Sequence, residues 1–168
     1  GETDRTLGRI AARARKAGIV VVEADRRKLD AMSLTHSHQG IIAVAAVRAY
    51  ATVEDILSIA EARGEKPLLV VCDEISDPHN LGAIIRTAEC AGAHGLIVPM
   101  KNAAPVNAEA VKASAGALNR IPVHRAGSIR NTLKYLSETG MQIVAATEKS
   151  RTLIYDADLG KPTVIVMG

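Results

Sequence analysis

The sequence predicts an α/β fold organised around a parallel sheet. Aliphatic runs of three to five residues recur without polar alternation, and helix-patterned segments separate them. Strands buried on both faces read as continuous apolar runs, and parallel neighbours need crossover helices between them. The size sets the scale: 168 residues, 48% apolar and 23% charged, suffice for one generous domain or a domain plus part of another. Low hydrophobicity with high net charge, the signature of disorder, is absent. No apolar run approaches the ~20 residues of a membrane-spanning helix.

Residues 3–17 read as a helix, with Thr3 or Asp4 as N-cap and Gly18 as stop. Ile19–Val22 reads as a strand, Asp25–Ala31 as a short helix and Gly40–Val47 as a second apolar strand. This αβαβ order is incomplete as a domain. A link follows near Arg48–Thr52, then the helix Val53–Arg63, then a break at Gly64–Pro67. From Leu68 the alternation becomes regular: strand Leu68–Cys72, helix Leu81–Ala91, strand Gly95–Val98, helix Val106–Ala115 and strand Ile121–Val123. Helix Ser128–Thr139 and the strands Gln142–Ala146 and Thr163–Met167 complete the series. The expected organisation is therefore a partial domain over 1–48, a linker and helix over 49–66, and a sheet domain over 67–168. Gly1 is not an initiator and Gly168 directly follows an apolar strand, so more chain is expected on both sides.

The net charge of +3 is unevenly spread. Residues 1–48 carry nine Lys/Arg against five Asp/Glu, while residues 49–168 carry twelve against thirteen. Arg5, Arg9, Arg13 and Lys16 recur at three- and four-residue spacing, so they share one helix face. Such a stripe suits the phosphates of RNA through counterion release; a solvated helix face is the plainer reading. With no Trp, no Phe and three Tyr, a reader that stacks successive bases is disfavoured. Two cysteines and no signal peptide fit a reducing, cytoplasmic compartment without a disulfide framework.

Several chemistries lack their motifs. No G-x-G-x-x-G follows a strand, Gly160-Lys161 runs into Pro162 without the upstream glycine of a P-loop, and no G-x-S-x-G elbow occurs. His36 and His38 stand at alternate positions, which face opposite ways on a strand, and no ligand cluster adjoins them, so no metal site is expected.

The segment from Asp73 to Ala88 leaves the carboxyl end of a strand and turns straight into a helix, at the edge where ligands of such sheets gather. Leu81, Ile84, Ile85 and Ala88 keep the spacing of a buried face. Arg86 points about 100° round from Ile85, out of the core and close to the strand ends. Asn80 stands at the helix entrance, where its amide can cap the helix or hold a ligand. Gly82 lets another backbone come near. A capped helix with a surface arginine would show the same residues.

The run Asp77-Pro78-His79-Asn80-Leu81-Gly82 with Ile85-Arg86-Thr87-Ala88 resembles the first signature of the SpoU-type, or TrmH-like, RNA ribose 2′-O-methyltransferases of the knotted SPOUT superfamily. His38-Gln39-Gly40, Lys112-Ala113-Ser114-Ala115-Gly116-Ala117 and Val164–Gly168 resemble further pieces in family order. Residues 1–48 resemble the latter half of the L30e-like RNA-binding domain that precedes the catalytic domain in bacterial large-subunit ribosomal RNA guanosine 2′-O-methyltransferases.

The resemblance implies a SPOUT α/β-knot domain, S-adenosyl-L-methionine as cofactor, RNA as partner and a homodimer. It places Asn80 and Arg86 in the active site and implicates Thr147 and Gly168 at the cofactor. The Ser114-Ala115-Gly116 turn also reads as an ordinary helix C-cap. The family's second-signature glutamate and the Ser and Asn of its third are absent, so the knotted part with most cofactor loops is expected beyond Gly168. A guanidinium is essentially always protonated. Clamping phosphate or ribose and stabilising alkoxide charge therefore suit Arg86 better than accepting a proton. A transfer-RNA ribose methyltransferase of the same superfamily and a non-catalytic RNA-binding relative are the alternatives.

Overall fold

The computed structural model describes residues 2–33, 37–44 and 49–168, which belong to two compact units, Gly1–Arg48 and Ala49–Gly168. In the first unit, helix α1 (Glu2–Lys16) stops where Gly18 takes a φ of +76°. Helix α2 (Arg26–Met32) starts at Asp25, whose carboxylate accepts from the Lys28 amide at 2.8 Å. The expected strand at Ile19–Val22 is not formed: Val20 is 87% exposed and no ladder partner runs beside it among the described residues. An apolar run becomes a strand only where a neighbour takes up its backbone hydrogen bonds. The expected strand from Gly40 is likewise absent over 40–44, where a left-handed Gln39–Gly40 turn precedes irregular chain; positions 45–47 of that expectation lie outside the described residues.

The second unit opens with helix α3 (Val53–Arg63). Thr52 and Asp55 form a reciprocal capping box, and left-handed Gly64 ends the helix. Strands β1 (Leu68–Cys72), β2 (Gly95–Pro99), β3 (Val123–Ala126), β4 (Gln142–Ala145) and β5 (Thr163–Met167) form one parallel sheet in the order β3-β2-β1-β5-β4. Helices α4 (Pro78–Cys90), α5 (Ala108–Ala113) and α6 (Ile129–Glu138) connect them.

Alternate residues of the central strands feed two cores. Val70, Cys72, Leu96 and Val98 pack with Leu81, Ile85 and Ala88 of α4. Leu69, Val71, Ile97 and Val164 pack with Ile56 of α3 and Leu136 of α6. The period of two along a strand sends successive side chains to opposite faces, and both faces are covered by helices. Buried His94 fastens the amino ends of the sheet: Nδ1 accepts from the Leu68 amide at 3.1 Å, and Nε2 lies 2.9 Å from Glu65 Oε2. That end is closed, and loops gather at the other.

The bounds of several elements differ from those expected. The third strand occupies Val123–Ala126 rather than Ile121–Val123, because Pro122 has no amide to give the ladder and only its carbonyl serves, accepting from Leu96 N at 2.9 Å. Helix α5 is shorter than expected, since Asn107 caps its start and Ala115 takes a φ of +49° just past its end.

Candidate active site

The strand order reverses direction between β1 and β5. From β1 the chain moves outward through β2 to β3, then crosses to the other edge for β4 and returns to β5. Crevices at such switch points, outside the carboxyl ends of the strands, are where open α/β sheets bind ligands. Here the two strand ends are locked together by Asp73 N donating to the Met167 carbonyl at 2.8 Å. Gly168 follows immediately, and a Cβ there would run into the Asp73 carbonyl, so only glycine lets the end of β5 lie against β1.

From β1 the chain bends at Glu74, whose φ is +54°, and enters α4. Asp77 is the N-cap, its Oδ1 accepting from the His79 amide at 2.8 Å, and Pro78 fills the first helical turn. Asn80 is therefore not the cap the sequence suggested; it lies inside the first turn, exposed, its side chain without a partner among the described residues. Proline tolerates that turn because its missing amide would be unsatisfied anyway, so the helix starts three residues earlier than the apolar spacing indicated.

Two contacts pin this corner. Ala104 N donates to the Ile75 carbonyl at 2.7 Å, joining the loops after β1 and β2, and His79 Nε2 lies 2.9 Å from Glu109 Oε1 on α5. Gly82 is buried against α5, where an added Cβ would sit 2.5 Å from the Ala113 Cβ. At the far end of α4, Glu89 accepts two hydrogen bonds from Arg120, at 2.6 and 3.1 Å. The Arg120 fork holds the Glu89 carboxyl below its ordinary pKa. Beneath the site Cys72 is buried, and desolvation pushes its thiol up to about 12, so it stays protonated and unreactive.

Arg86 is exposed and has no ion-pair or hydrogen-bond partner among the described residues. It stands about 9 Å along the axis from Asn80 and about 120° round it, on the α-helical rise and turn. The sequence expects it near the strand ends; on α4 it stands eight residues, about 12 Å of helical rise, after Pro78. Asn80 shares its face with Ile84 and Thr87, which line an apolar groove of about 430 Å³ with Leu68, Ile165 and Met167. Thr147 follows β4, beside the end of β5, where Ala146 N donates to the Val166 carbonyl at 2.9 Å; its exposed hydroxyl accepts from Lys149 N at 3.3 Å. The fold thus sets Gly168 and Thr147 at the carboxyl ends of the neighbouring strands β5 and β4, while Asn80 and Arg86 both lie on the helix that follows β1. The His79–Glu109 tie had no local signal, because its members lie on different helices.

Bare backbone at the ends of β5 and β4, with glycine required at one and a hydroxyl at the other, fits one wall of a cofactor cleft. No group of three or more metal-ligating side chains occurs among the described residues. No helix among them is long and apolar enough to cross a membrane. In the first unit Arg5, Arg9, Arg13 and Lys16 are all exposed on α1 without carboxylate partners among the described residues; their neighbour Arg15 pairs with Glu23 at 3.5 Å.

The SpoU rRNA Methylase family profile matches residues 67–168, and the profile for RNA 2′-O ribose methyltransferase substrate binding matches residues 1–51. A tRNA/rRNA methyltransferase of Mycolicibacterium paratuberculosis, itself uncharacterized, is 39% identical over 168 residues, covering 99% of this chain and 54% of the relative. The chain thus spans little more than half the length of that relative. Among solved structures, the SpoU methyltransferase AviRb of Streptomyces viridochromogenes is 32% identical with a TM-score of 0.56, covering 61% of this chain and 42% of AviRb. It has also been crystallised with AdoMet. An rRNA methyltransferase of Sinorhizobium meliloti is 35% identical with a TM-score of 0.55, over 62% of this chain and 40% of that one. The parallel five-stranded α/β sheet matches these solved SpoU-type structures, and the chain belongs to the SpoU rRNA methylase family.

Proposed function

We propose that this protein transfers a methyl group from S-adenosyl-L-methionine to a ribose 2′-hydroxyl of RNA, with guanosine in large-subunit ribosomal RNA as the acceptor. The observation that carries the reading is the meeting of Gly168, after β5, with Asp73, after β1, at the switch point from which the chain runs on into the Asn80-bearing helix. The substrate-binding profile over residues 1–51 and the exposed cations on α1, without carboxylate partners among the described residues, support RNA as the partner, as does an L30e-like reading of that unit. A transfer-RNA acceptor is the second reading, because the Mycolicibacterium relative is named for both RNAs.

Bound, the cofactor supplies an electrophilic methyl group on a sulfonium. The backbone groups at Gly168 and Thr147, after β5 and β4, would hold it. Asn80, in the positive first turn of α4 with a free amide, orients the acceptor ribose for in-line attack. The Arg86 guanidinium clamps phosphate or ribose and stabilises charge on the 2′-oxygen as its proton leaves. Arg86 stands about two turns along α4 from its start, and in this reading the working site is shared by a homodimer, each protomer lending its arginine to its neighbour.

Methyl transfer from labelled cofactor to total bacterial RNA, followed by mapping of the modified nucleotide, tests the proposal. Label in a ribose of large-subunit RNA is expected. Label confined to transfer RNA selects the second reading, and cofactor binding without transfer to any RNA refutes both.

A further inference from the structure

From Ala110 to Ser137 the chain carries five Lys/Arg and no Asp/Glu, although residues 49–168 as a whole are slightly acidic. The fold spreads this block along one flank of the sheet: Arg120 precedes β3, Arg125 lies on it, and Arg130 and Lys134 follow on α6. β3 is the edge strand. Lys101, exposed in the loop after neighbouring β2, adds a cation at the same carboxyl end. Arg120 is occupied by Glu89, and Lys134 has a loose contact with Glu138 at 3.8 Å. Lys101, Arg125 and Arg130 have no carboxylate partner among the described residues. Glu54, on α3, is held below its ordinary pKa by its own backbone amide and by the Tyr135 hydroxyl.

Arg125 is held in place without being neutralised. Its Nη2 donates to the Met100 carbonyl at 3.1 Å, and its guanidinium lies over the Tyr50 ring, 5.1 Å from the centroid. Tyr50 is set against the strand edge by its neighbour: Ala51 N donates to the Val123 carbonyl at 2.9 Å, and His124 Nδ1 donates to the Ala51 carbonyl at 2.9 Å. Tyr50 remains 39% exposed, Arg125 is exposed and Met100 is 53% exposed. A stacked aromatic–guanidinium pair, ordered in advance and open to solvent, is a platform for a flat heterocycle. Free cations around it attract a polyanion.

We infer that the β3 flank is a second RNA-docking surface, on which one unpaired base stacks on the Tyr50–Arg125 pair while Lys101 and Arg130 contact its flanking phosphates. The inference rests on the RNA reading above and extends it from the α1 stripe to the sheet unit itself. One platform also fits a chain with only three aromatic residues, which cannot stack a run of bases. The guanidinium offers a planar face and unused N–H donors, so a lysine at position 125 would keep the charge and lose the stack.

The test measures binding of a fluorescein-labelled oligouridylate by anisotropy across a salt series, with thermal unfolding and methyl transfer to total RNA recorded for each variant. Tyr50→Phe is expected to bind as the parent does. Tyr50→Leu and Arg125→Gln are expected to bind about tenfold more weakly at fixed salt, the loss of one stacked base. Lys101→Glu should lower the slope of log affinity against log salt by about one. Parental affinity in Tyr50→Leu and Arg125→Gln, in a protein that methylates RNA, overturns this surface alone. Should those two variants unfold early, an unchanged salt slope in Lys101→Glu overturns it. A parent protein that neither binds nor methylates RNA removes the functional reading and this surface with it, as does binding to phosphatidylglycerol vesicles with no binding to RNA.

Discussion

Gly82→Ala sets two physical effects against each other, and the structure decides between them. In an isolated helix the change is favourable by about 0.5–1 kcal/mol, because glycine loses more backbone freedom than alanine on folding. In this protein the new Cβ would lie 2.5 Å from the Ala113 Cβ and 2.9 Å from both the Ala110 carbonyl oxygen and the Ser114 nitrogen. Two of these are backbone atoms, so α4 and α5 must move apart; overpacking of this kind costs roughly 1–3 kcal/mol. The net expectation is destabilisation by about 1–2 kcal/mol, a fall in Tm of roughly 5–10 °C for a unit of this size. Differential scanning calorimetry and urea unfolding measure it. Ala113→Gly in the same chain should restore part of the loss, since it removes one of the three close approaches and leaves the backbone pair. A Tm for Gly82→Ala at or above the parent value would refute the close-packing argument and leave helix propensity in charge. Methyl transfer should fall with stability, because α4 carries both Asn80 and Arg86.

Arg86→Ala should abolish most methyl transfer while changing cofactor affinity by no more than a few-fold in calorimetry, and Arg86→Lys should rescue it poorly; near-normal turnover would return Arg86 to an ordinary surface arginine. Reversing charge at Arg5, Arg9 and Arg13 should weaken RNA binding and flatten its salt dependence by roughly one unit of slope per lost phosphate contact, with cofactor affinity unchanged. If each site borrows Arg86 from a partner, mixing Arg86→Ala protein with protein inactivated at the cofactor cleft should restore up to about a quarter of the sites, whereas a fully active monomer in light scattering would exclude the shared site. Acid should loosen the turn before β5: Lys161 and the Gly160 amide hold the Asp158 carboxyl below its ordinary pKa, so its contribution is complete above about pH 4 and is lost as pH falls through the depressed value. Asp158→Asn should flatten the decline in Tm between about pH 4 and pH 2.

Local rules carried much of this protein. The bounds of α3 follow from Thr52 and Asp55 at one end and Gly64 at the other, within a few residues of chain, and β1 and β5 are aliphatic runs between turn residues. The Asn80-to-Arg86 run that resembles the family's first signature is likewise local, whereas the need for a small residue at Gly82 comes from α5, about thirty residues on. Tertiary structure alone decided what depended on distant partners. Ile19–Val22 has the composition of a strand but no neighbour among the described residues to complete its ladder, whereas Leu68–Cys72 gains β2 and β5 from 26 and 95 residues away in register. The same holds at the site. Sequence shows that Arg86 leaves the core, but its distance from the strand ends follows from where α4 starts and which way it runs. Tyr50 and Arg125 meet only because the linker hydrogen-bonds to the β3 edge. Propensity and capping act over a turn of chain and can be read from it. Ladder register and side-chain encounters between elements are set by which surfaces bury each other, and that is a property of the whole fold.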